Sequence, residues 1–162
     1  MKLLISGSAG HLGEALQRTL RERGEETVGI DIKPSNFTDR VGSIADPEFV
    51  EDCMNGVDAV IHAATLHKPH VATHSRQDFV DTNVTGTLNL LEAAMEVGVG
   101  RFVFSSTAAL YGEPVETPIT EQHPLKPINP YGWSKLMGEQ MLADMTTAYG
   151  IRYCAFRYFN AA

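Results

Sequence analysis

The sequence predicts an α/β fold in which a doubly wound parallel sheet carries helices on both faces. Two observations predict it. Short apolar runs alternate with amphipathic stretches along the 162 residues, and parallel strands with helical crossovers are the packing solution for that alternation. A glycine-rich turn follows the first apolar run, which indicates the strand order 3-2-1-4-5-6. We expect residues 1–162 to form one Rossmann-like domain.

Six segments are predicted to be strands because they are short, apolar or β-branched, and bounded by turn residues. They cover residues 2–6, 27–31, 39–43, 58–62, 101–105 and 152–159. The third segment, DRVGS, is the weakest of the six. All six alternate with helical stretches, so their pairing is expected to be parallel throughout.

Four helices are predicted from their apolar periodicity and from the residues at their ends. They cover residues 11–23, 46–54, 75–96 and 130–149. Asp46 and Pro47 have the N-cap and first-turn preferences that open the second helix. Residues 112–129 hold four prolines and are expected to form a long loop.

The glycine turn at residues 7–13 predicts a dinucleotide site. Gly7 permits a tight turn, Gly10 lets the backbone approach a diphosphate, and Gly13 allows close packing of helix on strand. Asp31 ends the second strand, where a carboxylate binds ribose hydroxyls and repels the extra phosphate of NADP, although Lys33 nearby softens that preference. The alternative is an ordinary turn from strand to helix.

A second group of residues predicts proton transfer. Tyr131 and Lys135 are four positions apart and share one face of a helix. A lysine ammonium and a cationic nicotinamide both favour the phenolate, so this tyrosine would lose its proton more easily. Ser105 and Thr107 lie at the carboxyl end of the fifth strand, where open α/β sheets bind ligands. The alternative is an exposed pair of helix residues without a function.

Several motifs occur in a fixed order along the chain. They are GxxGxxG at residues 7–13, HAA at 62–64, NVxGT at 83–87, SST at 105–107, PYxxSK at 130–135 and RYFN at 157–160. With these motifs the chain resembles the extended short-chain dehydrogenase/reductase superfamily and, within it, the UDP-glucose 4-epimerases.

The resemblance implies a role for each matching residue. Tyr131 is the base for the sugar 4-hydroxyl, Thr107 assists it, and Lys135 holds the nicotinamide ribose. Residues that contact NAD are implied to be Gly7, Gly10, Leu12, Gly13, Asp31, Ser43, Ile44, Ala63, Ala64, Ser105, Tyr131, Lys135 and Tyr158. Asn160, together with Thr107 and Tyr131, is implied to contact the nucleotide-sugar, with UDP-hexose as the expected substrate.

The resemblance also separates related enzymes. Dehydratases and decarboxylases of the superfamily carry acidic residues just after the threonine, where this chain has Ala108 and Ala109, so neither activity is expected. A cofactor-contacting lysine of relatives falls at His67, beside Lys68. A sugar dehydrogenase or reductase with net hydride transfer, and a catalytically silent NAD-binding module, stay open as alternatives.

Chain length bears on activity. Relatives have over ~300 residues, so the resemblance implies that 162 residues hold the cofactor-binding half and almost none of the substrate domain. We therefore expect impaired turnover. The same relatives pair through two helices, which predicts a homodimer through residues 75–96 and 130–149.

Composition excludes several other classes. The net charge of −7 argues against a nucleic-acid-binding module, and no apolar run reaches the ~20 residues of a membrane span. Cys53 and Cys154 show no paired spacing, so we expect buried, inert thiols in a reducing cytosol. His67, His70 and His74 lack the carboxylates or cysteines of a metal site, and none is expected.

Overall fold

A computed structural model describes residues 1–160 and contains a six-stranded sheet in the order β3-β2-β1-β4-β5-β6. The strands are β1 Lys2–Ser6, β2 Glu26–Asp31, β3 Arg40–Val41, β4 Ala59–His62, β5 Arg101–Thr107 and β6 Arg152–Tyr158. Each pair of neighbouring strands is parallel. The predicted fold class and strand order are therefore confirmed.

Helices connect the strands, and their ends follow the sequence signals. They are α1 His11–Glu22, α2 Pro47–Cys53, α3 Arg76–Phe79, α4 Gly86–Glu96 and α5 Pro130–Tyr149. The Asp46 carboxylate accepts from the Phe49 amide at the start of α2, and the Asn129 side chain accepts from the Gly132 amide at the start of α5. Gly150 ends α5 with a φ of 73°.

The long helix predicted over residues 75–96 is not uniform. A π-helical turn at Val80–Thr85 separates α3 from α4. Within it the Asn83 side chain is buried and hydrogen-bonded to Leu66 and Ser134. A π turn is one residue wider than an α turn, and apolar periodicity does not register that change.

The bounds of β2, β4 and β6 differ from the prediction by one residue, and those of β5 and β3 differ by more. β5 continues to Thr107 because its last two residues pair with Arg157 and Tyr158 of β6. β3 has only two paired residues, at the edge of the sheet, because the chain turns at Ser43, whose carbonyl accepts from the Asp46 amide. The extension of β5 matters for the site, since it places Thr107 at the end of the sheet.

Apolar side chains from one face of the sheet pack against α2, α4 and α5 and form the core. Its most buried members include Leu4, Ile30, Val50, Val60, Leu90, Phe102, Phe104 and Leu142. Cys53 is buried as expected, whereas the expectation for Cys154 is wrong, because β6 is an edge strand and leaves this thiol exposed. Among the described residues, no helix combines the length and the apolar character needed to cross a membrane.

Candidate active site

The carboxyl ends of β1, β4, β5 and β6 border a cavity of about 760 Å³. The predicted site residues on its wall are Gly7, Gly10, Leu12, Gly13, Ala63, Ser105, Thr107, Tyr131, Tyr158 and Asn160. Both predicted groups of residues therefore meet at one site, with the glycine turn at one end and Tyr131 at the other. Asp31, Ser43, Ile44, Ala64 and Lys135 lie outside this wall.

The glycine turn is shaped by close backbone contacts. Gly7 has a φ of 79°, and a Cβ built on it would lie 2.6 Å from the Ala64 amide nitrogen. A Cβ on Gly13 would overlap the Gly7 carbonyl oxygen. Both positions therefore exclude a side chain, and the turn packs directly on the segment that follows β4.

The amino end of α1 faces this turn with its amide groups available. Gly10 is the N-cap residue and offers no side-chain cap, so the first-turn N–H groups can bind an anion. Asp31 lies behind the turn, where one carboxylate oxygen accepts from the Ala9 amide at 3.1 Å and the other from the Lys33 amide at 2.9 Å. The carboxylate is thus held in a fixed orientation at the end of β2.

A buried hydrogen-bonded chain supports the turn from below. Thr87 donates to the Asn83 carbonyl, so its oxygen accepts from His62 Nε2 at 2.9 Å. His62 Nδ1 then accepts from the Ser6 hydroxyl at 2.7 Å, and Ser6 accepts from the Ala64 amide. These bonds require a neutral imidazole, and burial lowers the pKa of His62 well below its usual value, with Lys135 adding to the effect.

At the other end of the cavity, Thr107 presents a hydroxyl whose hydrogen is free to donate. Its oxygen accepts from the Ala109 amide at 3.1 Å. A hydrogen bond donated by this hydroxyl lowers the pKa of the Tyr131 phenol. Ala108 and Ala109 also line the cavity, so no acidic side chain stands beside Thr107 at these two positions.

Burial sets the direction of the Tyr131 pKa shift in the protein alone. The side chain is 8% exposed, and burial raises the pKa of its phenol, an effect that the Thr107 interaction only partly opposes. The expected lowering requires positive charge beside the phenol. In the protein alone burial dominates the shift and Thr107 opposes it, while the expected lowering also depends on a bound cationic nicotinamide.

Lys135 lies one turn beyond Tyr131, beneath the cavity wall. Its side chain is fully buried, and its ammonium lies 4.6 Å from the centre of the Phe104 ring. Among residues 1–160 no carboxylate forms a salt bridge with it. Burial therefore lowers the pKa of Lys135 to about 7.

Asn83 and Ser134 belong to motifs named from the sequence, which assigned them no role in connecting this end of the site. The Asn83 amide donates to the Ser134 hydroxyl and to the Leu66 carbonyl, and Ser134 donates to the Tyr131 carbonyl. His67 follows Leu66 in the sequence, and its ring centre lies 6.0 Å from that of Tyr131. Desolvation, followed by the charges of Lys135 and His70, lowers the pKa of His67. The π turn is the feature that brings Asn83 here, and it has no periodic signature.

Two predicted contacts lie away from the cavity wall. Ile44 is 5% exposed and packs on Gly86, while its carbonyl accepts from the Asn89 side chain. Ser43 accepts from the Ala45 amide and shapes the turn before α2. The two residues are therefore engaged with the protein itself.

The cavity suits a dinucleotide better than a metal ion. The turn combines available helix amides with glycines that admit no Cβ, which is the geometry that accommodates a diphosphate. Within residues 1–160, no three histidine, cysteine or acidic side chains are grouped to hold a metal ion.

Comparison with known proteins agrees with this geometry. The model of the NAD dependent epimerase/dehydratase family matches residues 3–162. The UDP-glucose 4-epimerase of Lactobacillus helveticus is 38% identical over 100% of this chain, and that of Streptococcus mutans is 40% identical over 100%. The chain spans about half the length of these relatives, 52% in both cases.

Solved structures give the same result. The UDP-glucose 4-epimerase of Brucella ovis in complex with NAD superposes with a TM-score of 0.91 and 35% identity, over 99% of this chain and 52% of that one. A short-chain dehydrogenase/reductase superfamily protein from Agrobacterium tumefaciens with bound NAD gives a TM-score of 0.90 and 35% identity, over 97% and 48%.

Proposed function

The chain belongs to the NAD dependent epimerase/dehydratase family, and we propose that it is the NAD-binding part of a nucleotide-sugar 4-epimerase of the UDP-glucose type. The observation that carries this proposal is the meeting of the glycine turn with Thr107 and Tyr131 in one cavity. The similarity to UDP-glucose 4-epimerases over the whole chain supports the substrate class.

The glycine turn and the amino end of α1 would hold the NAD diphosphate, and Asp31 would bind the ribose hydroxyls. When bound, NAD supplies a reversible hydride acceptor and a positive charge beside Tyr131. Lys135 would hold the ribose next to the nicotinamide. The buried Lys135 has no counter-ion among the described residues, so a polar ligand at this position would relieve its desolvation.

Tyr131 would accept the proton of the sugar 4-hydroxyl and later return it to the same oxygen. Thr107 would donate a hydrogen bond to that oxygen, since its own lone pair already accepts from Ala109. The phenol pKa is raised in the protein alone, so the positive charges of Lys135 and the nicotinamide are needed to bring it down. Asn160, on the cavity wall, would contact the nucleotide-sugar.

Turnover of UDP-glucose with NAD⁺ tests this function. Conversion to UDP-galactose should fall by at least about 10²-fold in Tyr131→Phe, as loss of a general base implies. Tyr149→Phe, an exposed position on the same helix, is the matched control and should not change the rate. NADH absorbance should stay constant, because the hydride returns to the sugar.

Other outcomes would identify the alternatives. Net NADH formation or consumption in step with product would favour a dehydrogenase or reductase. NAD⁺ binding without conversion in either protein would favour a silent NAD-binding module for these 162 residues.

We also propose a homodimer through the helical segments from α3 to α4 and α5. Three large apolar side chains on these segments are exposed: Val80 by 44%, Trp133 by 49% and Met137 by 49%. Pairing of two copies through these segments would cover them. Sedimentation equilibrium should show a dimer, and Met137→Glu should convert it to a monomer. A wild-type monomer would contradict the pairing.

A further inference from the structure

A partly buried ion pair lies behind the Tyr131 end of the cavity. Arg157 of β6 donates to Glu139 of α5 through Nη2 at 2.6 Å and through Nε at 3.0 and 3.2 Å. Their side chains are only 23% and 11% exposed. The Ser106 hydroxyl donates to Glu139 at 2.5 Å, so the carboxylate binds groups from both neighbouring strands.

The remaining guanidinium nitrogen of Arg157 holds the loop at residues 112–129. It donates to the Tyr111 hydroxyl at 3.1 Å and to the Glu121 carbonyl at 3.3 Å. The guanidinium also lies 5.3 Å from the centre of the Tyr111 ring, and Phe159 stacks on the same ring. One arginine therefore binds the helix, the residue before the loop and the loop itself.

The loop has few anchors of its own. Only His123 and Pro127 are buried between residues 112 and 129. His123 accepts from the Val115 amide, and its ring meets Tyr111 edge to face. The loop ends at Asn129, the N-cap of α5, two residues before Tyr131. The position of Tyr131 therefore depends on how the loop enters the helix.

From this geometry we infer that Glu139 and Arg157 are positioning residues, which hold the loop and the first turn of α5 so that Tyr131 faces Thr107. Neither lines the cavity, and both act through their neighbours. Ser106 and Tyr158 are adjacent to Thr107 and Arg157 on paired strands, so the same ion pair fixes both sides of the Tyr131 end. The consequence for activity rests on the function proposed above, whereas the positioning itself is tested without turnover.

Arg157→Lys separates the ion pair with Glu139 from the hydrogen bonds to Tyr111 and Glu121. A lysine keeps a positive charge for Glu139 but lacks the planar fork that also reaches Tyr111 and Glu121. Tyr111→Phe is a milder second variant, since it removes one hydroxyl acceptor and keeps the ring. The control is Arg21→Lys, because Arg21 pairs with Asp39 at 2.7 Å on the surface, away from the cavity.

Amide hydrogen exchange of the 162-residue protein, with and without NAD⁺, tests the inference. Exchange in residues 112–133 should rise by about tenfold in Arg157→Lys and less in Tyr111→Phe, while β1, β2 and α1 stay protected as in wild type. The pKa of Tyr131, measured by NMR from the chemical shift of its ring carbon, should also change in Arg157→Lys and stay the same in Arg21→Lys.

Two results would overturn the positioning role. One is unchanged exchange in residues 112–133 with an unchanged Tyr131 titration. The other is a uniform rise across the whole sheet, which would make the pair a general stabilising contact. Since neither readout needs sugar conversion, failure here is distinguishable from failure of the epimerase proposal.

Discussion

The two ends of the cavity are built from different parts of the chain. The glycine turn is formed by backbone against backbone, with Gly7 against Ala64 and Gly13 against Gly7. The Tyr131 end is formed by side chains from α5, β5 and the π turn. Glycine spacing therefore marks the first end in the sequence, even though Gly7 packs on the distant Ala64, whereas no spacing marks the contacts of Asn83 and Ser134 at the second end.

Substitution of Gly7 should have the largest effect on the free energy of unfolding. Gly7 and Gly24 have the same φ of 79°, but a Cβ on Gly24 meets nothing within 4 Å. Gly24→Ala should cost about 1 kcal/mol, from backbone strain alone. Gly7→Ala should cost about 3 kcal/mol or more, because overlap with Ala64 adds to the strain. Urea denaturation measures both, and equal costs would mean that the turn is not set by backbone contact.

Removal of the buried Lys135 charge tests the other end. The pKa of Lys135 in the folded protein is about 7, below the ordinary 10.5. The unfolded chain therefore binds more protons between these values, and stability should rise with pH from about 7 to about 9.5. Lys135→Met should lose this rise, whereas Lys126→Met, an exposed lysine, should keep it. The free energy of unfolding is measured across this pH range for all three proteins. If it rises with pH as steeply in Lys135→Met as in wild type, the Lys135 charge is not buried.

His62 connects the two ends and gives a smaller effect in acid. Its pKa in the folded protein lies well below 6.5. Unfolded chains take up the proton first, so stability should fall as pH drops below 6.5. His62→Gln should reduce that fall by about 1 kcal/mol or more, and His74→Gln, at an exposed position, should not. Thermal melts at several pH values measure the loss of stability in acid. The same loss in His62→Gln and in wild type would contradict the prediction.

Much of the first end is predictable from the sequence, because the glycine spacing and the position of Asp31 act within short segments. The strand order follows from the same local signals. At the second end, the sequence predicts Thr107, Tyr131 and Lys135 but neither the role of Asn83 nor the burial of the Tyr131 phenol. Those depend on a π turn and on packing, which arise from contacts between residues far apart in the chain.

The smallest predicted effect concerns cofactor choice at Asp31. Asp31→Asn keeps the shape but removes the charge, so the affinity for NAD⁺ should fall by about tenfold and the preference over NADP⁺ should narrow. Asp52→Asn, whose carboxylate is 77% exposed in a surface pair, is the control. Calorimetric titration of both variants checks this, and an unchanged preference in Asp31→Asn would remove Asp31 from the ribose site.

We propose that the glycine turn and the amino end of α1 hold the diphosphate of NAD, with Asp31 on the adjacent ribose. Calorimetric titration of the wild-type chain with NAD⁺ and with NADP⁺ tests it most directly. We expect one NAD⁺ to bind per chain, at least about tenfold more tightly than NADP⁺. Absence of binding to either nucleotide, or tighter binding of NADP⁺, would contradict it.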